Sequence, residues 1–379
     1  MLRIGIIGGG QLAGLLAAEV NRQGAACYSL DPDANSPAVG MGAVSVVGHR
    51  HSADDIRQLA GQTDILTVDL EDINVEALAA LEAEGVTVFP RPTTLRNLTN
   101  KLTQKQTLVS AGLPTSQFVE VDGAEGDLSQ LGWPVVQKAA TGGYDGRGVV
   151  ILKGPQDLDG RLQVPGFIEA FVPDMTELAV MVARDRHGQA VTWQPVEMEF
   201  DPVGNLLTYL LAPARVEPSV ADRAQELARA AIGAFDGIGV FGVEMFLTAD
   251  GELLINEIAP RTHNSGHYTI DACVTSQFKA LYQILADQPL GDTHQDQAAA
   301  MYNVLGEPGY EGETVVEGLD TLEEIEGVHA YLYGKQSCFA LRKMGHVTVT
   351  ADTLDTAISI ADQAKHILKV RGSHPVGQE

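Results

Sequence analysis

The stretch Val135-Val136-Gln137-Lys138-Ala139-Ala140-Thr141-Gly142-Gly143-Tyr144-Asp145-Gly146-Arg147-Gly148-Val149-Val150 sets four glycines, a lysine, an aspartate and an arginine between two β-type runs. Glycine lets backbone N–H groups come close to phosphate oxygens. A plain hairpin tip needs one or two glycines and has no reason to collect charges and a tyrosine. The stretch therefore reads as a loop that covers phosphate.

A second pair of β-type runs, Val240–Leu247 and Glu252–Ile258, is joined by Thr248-Ala249-Asp250-Gly251, which is turn chemistry for a hairpin. Glu244 and Glu257 stand inside otherwise apolar sequence, and a buried carboxylate needs a partner or a metal. With Leu247 paired to Glu252, Glu244 falls opposite Ile255 and Glu257 becomes its diagonal neighbour, ~7 Å away along the backbones. Two carboxylates so placed can share magnesium with substrate phosphates; the alternative is a solvated face carrying two glutamates. Strict alternation turns Asn256 the other way, so Asn256 joins them only if the strand breaks there.

The next residues, Ala259-Pro260-Arg261-Thr262-His263-Asn264-Ser265-Gly266-His267, are dense in donors. His263 and His267 have the spacing of a zinc helix, but Pro260, Asn264, Ser265 and Gly266 argue for a loop, one suited to a small oxyanion or a transferring phosphoryl group. At the start of the chain Gly8-x-Gly10-x-x-Ala13 follows a strand and opens a helix, with Asp31 ending the second strand. That spacing fits a dinucleotide fingerprint, another phosphate on the helix N-terminus, or simple packing of a tight turn. Near the end Lys335, Arg342, Lys343 and His346 gather among short strands. Screening over ~8 Å lets such a patch attract phosphate in an acidic protein; a solvated basic edge strand is the other reading.

The 379 residues suggest two or three domains. Residues 1–95 alternate strands and helices as an open parallel α/β sheet. A polar helix then spans about Leu95–Ala111, a central unit runs over 96–295 with a glycine-rich subdomain at 115–184, and Asp292–Gln297 links to a β-rich end, 296–379, closed by a helix over about Thr353–Leu368. Lys plus Arg total 25 against 50 for Asp plus Glu, a formal charge of −25, which argues against nucleic acid or an anionic membrane as partner. No apolar run reaches the ~18 residues of a spanning helix. Three distant cysteines, Cys27, Cys273 and Cys338, suggest no disulfide framework and a cytoplasmic setting.

Taken together, the Lys138 to Gly148 loop, Glu244, Asn256-Glu257 and the helix after Gly8-Gly9-Gly10-Gln11-Leu12 resemble the ATP-grasp enzymes. The resemblance is closest to the carboxyaminoimidazole ribonucleotide synthases of purine biosynthesis. It rests further on Leu102-Thr103-Gln104-Lys105, the block Asn256 to His267, Thr275-Ser276-Gln277-Phe278, Pro289-Leu290-Gly291 and Tyr333-Gly334-Lys335. It implies an α/β (α+β) ATP-grasp fold with a Rossmann-like N-terminal sheet, a lid at 115–184 and a small β-rich C-terminal domain.

The resemblance also implies roles. ATP would be held by Lys101, Lys138, Gly143, Gly146, Arg147, Gly148, the strand Glu169-Ala170-Phe171-Val172, Glu177, Phe200, Asn256 and Glu257, with two magnesium ions on Glu244, Glu257 and Asn256. Bicarbonate would attack the γ-phosphate, and the carboxyphosphate formed would release carbon dioxide beside the amine of aminoimidazole ribonucleotide. Arg261, His263 and Asn264 would hold bicarbonate or carboxyphosphate. Tyr144, Asp145, Arg147 and Glu71 would meet the aminoimidazole, Asp145 accepting the amine proton. The substrate phosphate would rest on Gln11, Leu12, Lys335 and Arg342, and Arg261 and Lys335 would join Asp145 as catalytic residues. A homodimer is implied as well. Lys101 stands where the family has Arg, Phe200 where many relatives have His, and Asp69 and Lys279 where the family has Glu. The alternatives are an ATP-grasp paralogue using another acid or amine, such as a formate-dependent transformylase, a non-catalytic nucleotide binder, or an NAD oxidoreductase. The last leaves the central and C-terminal motifs unexplained.

Overall fold

The computed structural model describes residues 1–122, 128, 130–142, 148–200 and 207–376. Its N-terminal unit is a parallel five-stranded sheet in the order Val44–Val47, Ala26–Asp31, Arg3–Ile7, Ile65–Val68, Thr87–Val88. Ile4, Ile6 and Ile7 are fully buried at its centre, as expected of a parallel strand covered on both faces. The strand Val44–Val47 escaped the sequence reading because it is an edge strand with Val44 and Val47 turned outward. The chain reverses its direction of travel across the sheet at Arg3–Ile7, so the ligand crevice of such a sheet falls at that strand's C-terminal end.

The glycines there have a specific cause. Asp31 accepts hydrogen bonds from the amides of Gly9 (3.0 Å) and Asp33 (2.9 Å). Asp69 accepts from Gly10 (2.8 Å) and Ala13 (2.7 Å), capping the helix Gln11–Arg22 from another strand. A Cβ on Gly10 would lie 2.6 Å from the Asp69 carboxylate and one on Gly9 2.7 Å from Asp31. Asp31 is thus used by the backbone rather than left for a ribose, which corrects the dinucleotide reading. No described residue accepts from the amides of Gln11 and Leu12.

The single polar helix expected over Leu95–Ala111 is two, Pro92–Thr99 and Lys101–Ser110. Asn100 interrupts it in an extended conformation, and its side chain caps the second helix through the Thr103 amide at 3.0 Å. Gln104 then pins that helix to the central hairpin, accepting from the Ile258 amide (2.8 Å) and donating to the Ile258 carbonyl (3.1 Å).

Two antiparallel layers follow. A four-stranded sheet runs Phe118–Asp122, Pro165–Ala170, Val135–Ala139, Val149–Leu152. A nine-stranded sheet runs Leu253–Ala259, Gly239–Leu247, Thr176–Arg184, Val196–Phe200, Leu207–Ala212, Ala298–Leu305, Lys343–Ala351, Val328–Leu332, with Ala190–Thr192 beside Thr176–Arg184. The helix Pro218–Ala234 covers it with Ala224, Ala228, Ala231 and Ile232, one stripe at helical spacing. The β-rich end is therefore not sealed off by a linker: Leu207–Ala212 pairs with Ala298–Leu305 and carries one sheet across residues 292–297. A strand, Lys369–Pro375, follows the last helix, Leu354–Ala364, and joins Tyr310–Glu317 and Ser337–Phe339 in a separate three-stranded sheet. Among the described residues no helix is long and apolar enough to cross a membrane.

Removing the Asp69 cap should be felt at the first helix. Asp69→Ala is expected to cost about 1–2 kcal/mol in urea denaturation, and an unchanged midpoint would mean that the carboxylate does not hold the turn.

Candidate active site

The central hairpin supplies the first carboxylates. Leu247 pairs with Leu253, Phe246 with Leu254 and Met245 with Ile255, after which a bulge shifts the register and Glu244 faces Glu257. This corrects the expected pairing of Leu247 with Glu252 and of Glu244 with Ile255. The turn takes in Glu252, whose carbonyl accepts from Thr248 at 2.9 Å, and the bulge absorbs Asn256. Glu244 and Glu257 are direct cross-strand neighbours instead of diagonal ones. Glu177 shares their face, since it lies two residues from Ala179, the partner of Glu244. Burial pushes the Glu244 carboxyl up to about 7, with Glu257 and Glu177 adding like charge. Burial raises Glu177 also.

Lysines meet this face from two directions. Lys101, at the start of its helix, pairs with Glu257 at 2.7 Å. Lys138 donates to the Asn256 side-chain oxygen at 2.8 Å and pairs with Glu169 at 2.7 Å. Glu169 is shared with Lys105, also at 2.7 Å, and both of these residues are only 2% exposed. Burial alone would raise Glu169, but Lys138 and Lys105 outweigh it and hold the carboxyl below its ordinary range. Lys105 also donates to Thr115, whose hydroxyl donates to the Ile255 carbonyl at 2.7 Å. Glu169 and Ala170 close the strand Pro165–Ala170, and Phe171 and Val172 lead on toward Thr176–Arg184. Phe200 packs on the cluster containing Ala179 and Met198, beside the Glu177 row. Gly148 has φ +75 and accepts from Ala139 at 2.9 Å.

The loop after the hairpin folds back over the same face. The His263 side chain lies on Gly242, where a Cβ would come within 2.8 Å of the His263 Cβ and 2.9 Å of its ring, and its Nε2 is 3.7 Å from Glu244. Burial, aided by Arg261, lowers His263 to about 3. Arg261 pairs with Glu71 at 2.9 Å, and Asn264 donates to Asn303 at 2.9 Å. Lys335 reaches back across the chain to the Gln11 side-chain oxygen (2.9 Å) and also donates to the Lys343 carbonyl (2.6 Å). The Arg342 guanidinium is engaged by Ser337 at 2.6 Å and lies over Phe339. His346 is fully buried, stacked on His267 with ring centroids 4.4 Å apart, so it leaves the proposed basic patch. His263 and His267 meet different partners across a short 3-10 turn, Asn264–Gly266. The expectations for Gly143, Tyr144, Asp145, Gly146 and Arg147 fall outside the described residues.

Three family models match in sequence along the chain: a ribonucleotide synthetase preATP-grasp domain over 1–98, an ATP-grasp domain over 106–278 and a phosphoribosylaminoimidazole carboxylase C-terminal domain over 299–359. The N5-carboxyaminoimidazole ribonucleotide synthase of Synechococcus elongatus is 37% identical over 91% of this chain and 89% of its own. The chain belongs to the N5-carboxyaminoimidazole ribonucleotide synthase family. The synthetase structure from Thermotoga maritima matches with a TM-score of 0.91 and 41% identity, covering 98% of this chain and 100% of that one. The Aspergillus clavatus synthase, solved with ADP and 5-aminoimidazole ribonucleotide, matches at 0.88 and 32%, covering 97% and 98%. The phosphoribosylaminoimidazole carboxylase of Saccharomyces cerevisiae is 38% identical over 93% of this chain, which spans 64% of that longer protein.

As a member of this synthase family the chain is an ATP-grasp enzyme, and the donor set can be weighed for magnesium. Glu244, Glu257 and the Asn256 oxygen are hard ligands on one face, and the like-charge crowding that raises Glu244 is what a divalent cation relieves. Among the described residues no three His, Cys, Asp or Glu side chains converge as a metal cluster. The residues fit a site completed by phosphate oxygens.

Two site residues went unassigned in the sequence. Lys105 was legible only as part of a motif, because nothing in Leu102-Thr103-Gln104-Lys105 shows that its ammonium is buried against Glu169. Gln277, in Thr275-Ser276-Gln277-Phe278, gives no local sign that its amide grips His263, at 2.8 Å, fourteen positions away.

Glu244 sets a pH dependence. Its folded pKa lies above the unfolded value, so its contribution is fully present below about pH 4.5 and is lost as pH rises through about 7. The ligand-free protein should lose about 1–3 kcal/mol over that window, with the side chain still 27% exposed in the cleft. Glu244→Gln should flatten the slope in denaturation at several pH values; an unaltered slope would show that the carboxylate is solvated.

Proposed function

We propose that this chain catalyses the ATP- and bicarbonate-dependent carboxylation of the amine of 5-aminoimidazole ribonucleotide, giving 5-(carboxyamino)imidazole ribonucleotide in de novo purine biosynthesis. The observation that carries the reading is the convergence, on one sheet face, of a phosphate lysine (Lys138), paired carboxylates (Glu244, Glu257) and the donor loop Arg261–Asn264. Lys335 and Gln11 meet at the mouth of the N-terminal sheet.

The chemistry divides along this geometry. A bicarbonate oxygen attacks the γ-phosphorus, the bond to the β-bridging oxygen breaks, and ADP leaves. Lys138 turns from Glu169 and Asn256 toward the phosphates, and Lys101 contributes a second positive charge. Magnesium, two ions on Glu244, Glu257 and Asn256, would supply charge neutralisation for the phosphates. Arg261, His263 and Asn264 hold the carboxyphosphate, which breaks its carbon–oxygen bond to give carbon dioxide and phosphate. The amine nitrogen bonds to that carbon and its proton passes to Asp145. Gln11, Leu12, Lys335 and Arg342 hold the substrate phosphate, the amides of Gln11 and Leu12 facing the ligand end of the helix. Glu71, Tyr144 and Arg147 complete the aminoimidazole pocket, and Gly143, Gly146, Gly148, Glu169 to Val172, Glu177 and Phe200 line the nucleotide. In this reading residues 1–95, 96–295 and 296–379 form the three domains, and the working enzyme is a cytoplasmic homodimer.

With magnesium, ATP and bicarbonate, added aminoimidazole ribonucleotide should strongly stimulate ADP release and disappear in equal amount. ATP binding without stimulation would point instead to a paralogue with another acceptor. Lys335→Ala should raise the Michaelis constant for the ribonucleotide about tenfold or more while that for ATP stays within about twofold; equal changes would remove Lys335 from the phosphate site. Asp145→Asn should keep ATP binding and lose most aminoimidazole-dependent turnover, and wild-type turnover would exclude its role as proton acceptor.

A further inference from the structure

One side chain governs how His263 is presented. Gln277 opens the helix Gln277–Leu285 and is fully buried. Its oxygen accepts from the His263 amide at 2.8 Å and its nitrogen donates to the His263 carbonyl at 2.8 Å. Those bonds settle which end of the amide is which, because a backbone N–H needs the oxygen and a carbonyl needs the nitrogen. The amide nitrogen also faces Nδ1 of His267 at 3.2 Å. Glycine at 266 permits the approach: a Cβ there would lie 2.6 Å from the Gln277 amide carbon.

We infer that Gln277 is a positioning residue that locks His263 and His267 as neutral Nε2–H tautomers, so that His263 offers a fixed N–H to the oxyanion held over Glu244. A donor faces Nδ1 of His267, so its proton sits on Nε2. Nδ1 of His263 accepts from the Ser265 amide at 3.4 Å, which leaves its proton on Nε2 as well; the Ser265 hydroxyl, 2.8 Å away, is then the donor in that second contact. That nitrogen is the one 3.7 Å from Glu244. An N–H donor faces Nδ1 of each ring, so a second proton finds no acceptor there and Nε2 keeps the only one. His263 is then a hydrogen-bond donor to carboxyphosphate and takes no part in moving protons, which leaves that task to another group. The inference deepens the proposed function and rests on the reading of Arg261–Asn264 as the bicarbonate loop.

The test is nitrogen NMR of the full-length protein with labelled histidine, the two rings assigned from His263→Gln and His267→Gln. Both rings are expected to carry hydrogen on Nε2 and none on Nδ1. A proton on Nδ1 of either ring in the wild type overturns the inference even if no variant folds. In Gln277→Glu the new carboxylate cannot donate, so His267 should flip to Nδ1–H. The Michaelis constant for bicarbonate should rise about tenfold with that for ATP within about twofold, the loss of one or two hydrogen bonds. An unflipped His267, or equal rises for both substrates, would reduce Gln277 to a packing residue. His263→Gln with an unchanged bicarbonate constant would instead overturn the oxyanion role on which the inference rests, whatever the tautomers.

Discussion

A buried carboxylate shared by two lysines holds the nucleotide cleft together. Glu169 is almost wholly removed from solvent between Lys105 and Lys138, and an ion so placed is tolerable only while its partners remain. Lys105 is fixed: it is itself buried, and through Thr115 it ties the four-stranded sheet to the hairpin at Ile255. Lys138 has its second attachment, Asn256, at the hairpin bulge. In the reaction proposed above Lys138 turns to a phosphate; Lys105 would then still neutralise Glu169, so the movement would not strand a buried charge. On that proposal, removing Lys105 would leave the carboxylate competing with ATP for Lys138.

The bulge is the counterpart of that arrangement on the other sheet. Without it, alternation would send Asn256 and Glu257 to opposite faces and set Glu244 against an isoleucine. With it, Glu244 and Glu257 face each other and Asn256 meets Lys138. The bulge is local in sequence, yet its effect is to bring together Glu244, Glu257, Asn256, Lys138 and Lys101, the residues proposed to hold phosphate and cation, from three strands and a helix.

Much of this was legible. Glutamates inside Val243-Glu244-Met245-Phe246 and Leu254-Ile255-Asn256-Glu257-Ile258 announce a site because burial of charge demands a reason, and the turn residues place the hairpin. The register was not legible, since a one-residue bulge leaves no compositional mark and the turn was counted one residue short. Asn100 splits a helix whose pattern reads as continuous; its side chain caps the second helix through the Thr103 amide. The spacing Gly8 to Ala13 leaves a dinucleotide, another phosphate and simple packing open, because the approach of Asp31 and Asp69 that requires those glycines comes from distant strands. His346 reads as part of a basic patch by proximity, but its strand, Lys343–Ala351, is buried on both faces and sets it against His267. The continuity of the large sheet into the C-terminal residues rests on one long-range strand pair and has no signature in the stretch it crosses.

The central claim is that the cleft makes carboxyphosphate and releases carbon dioxide from it. Oxygen-18 bicarbonate tests this directly, because the attacking oxygen stays with phosphorus when the carbon–oxygen bond breaks. With ATP, magnesium and aminoimidazole ribonucleotide, the inorganic phosphate produced should carry one labelled oxygen derived from bicarbonate. Phosphate free of label, formed alongside ADP and carboxylated product, would contradict the account.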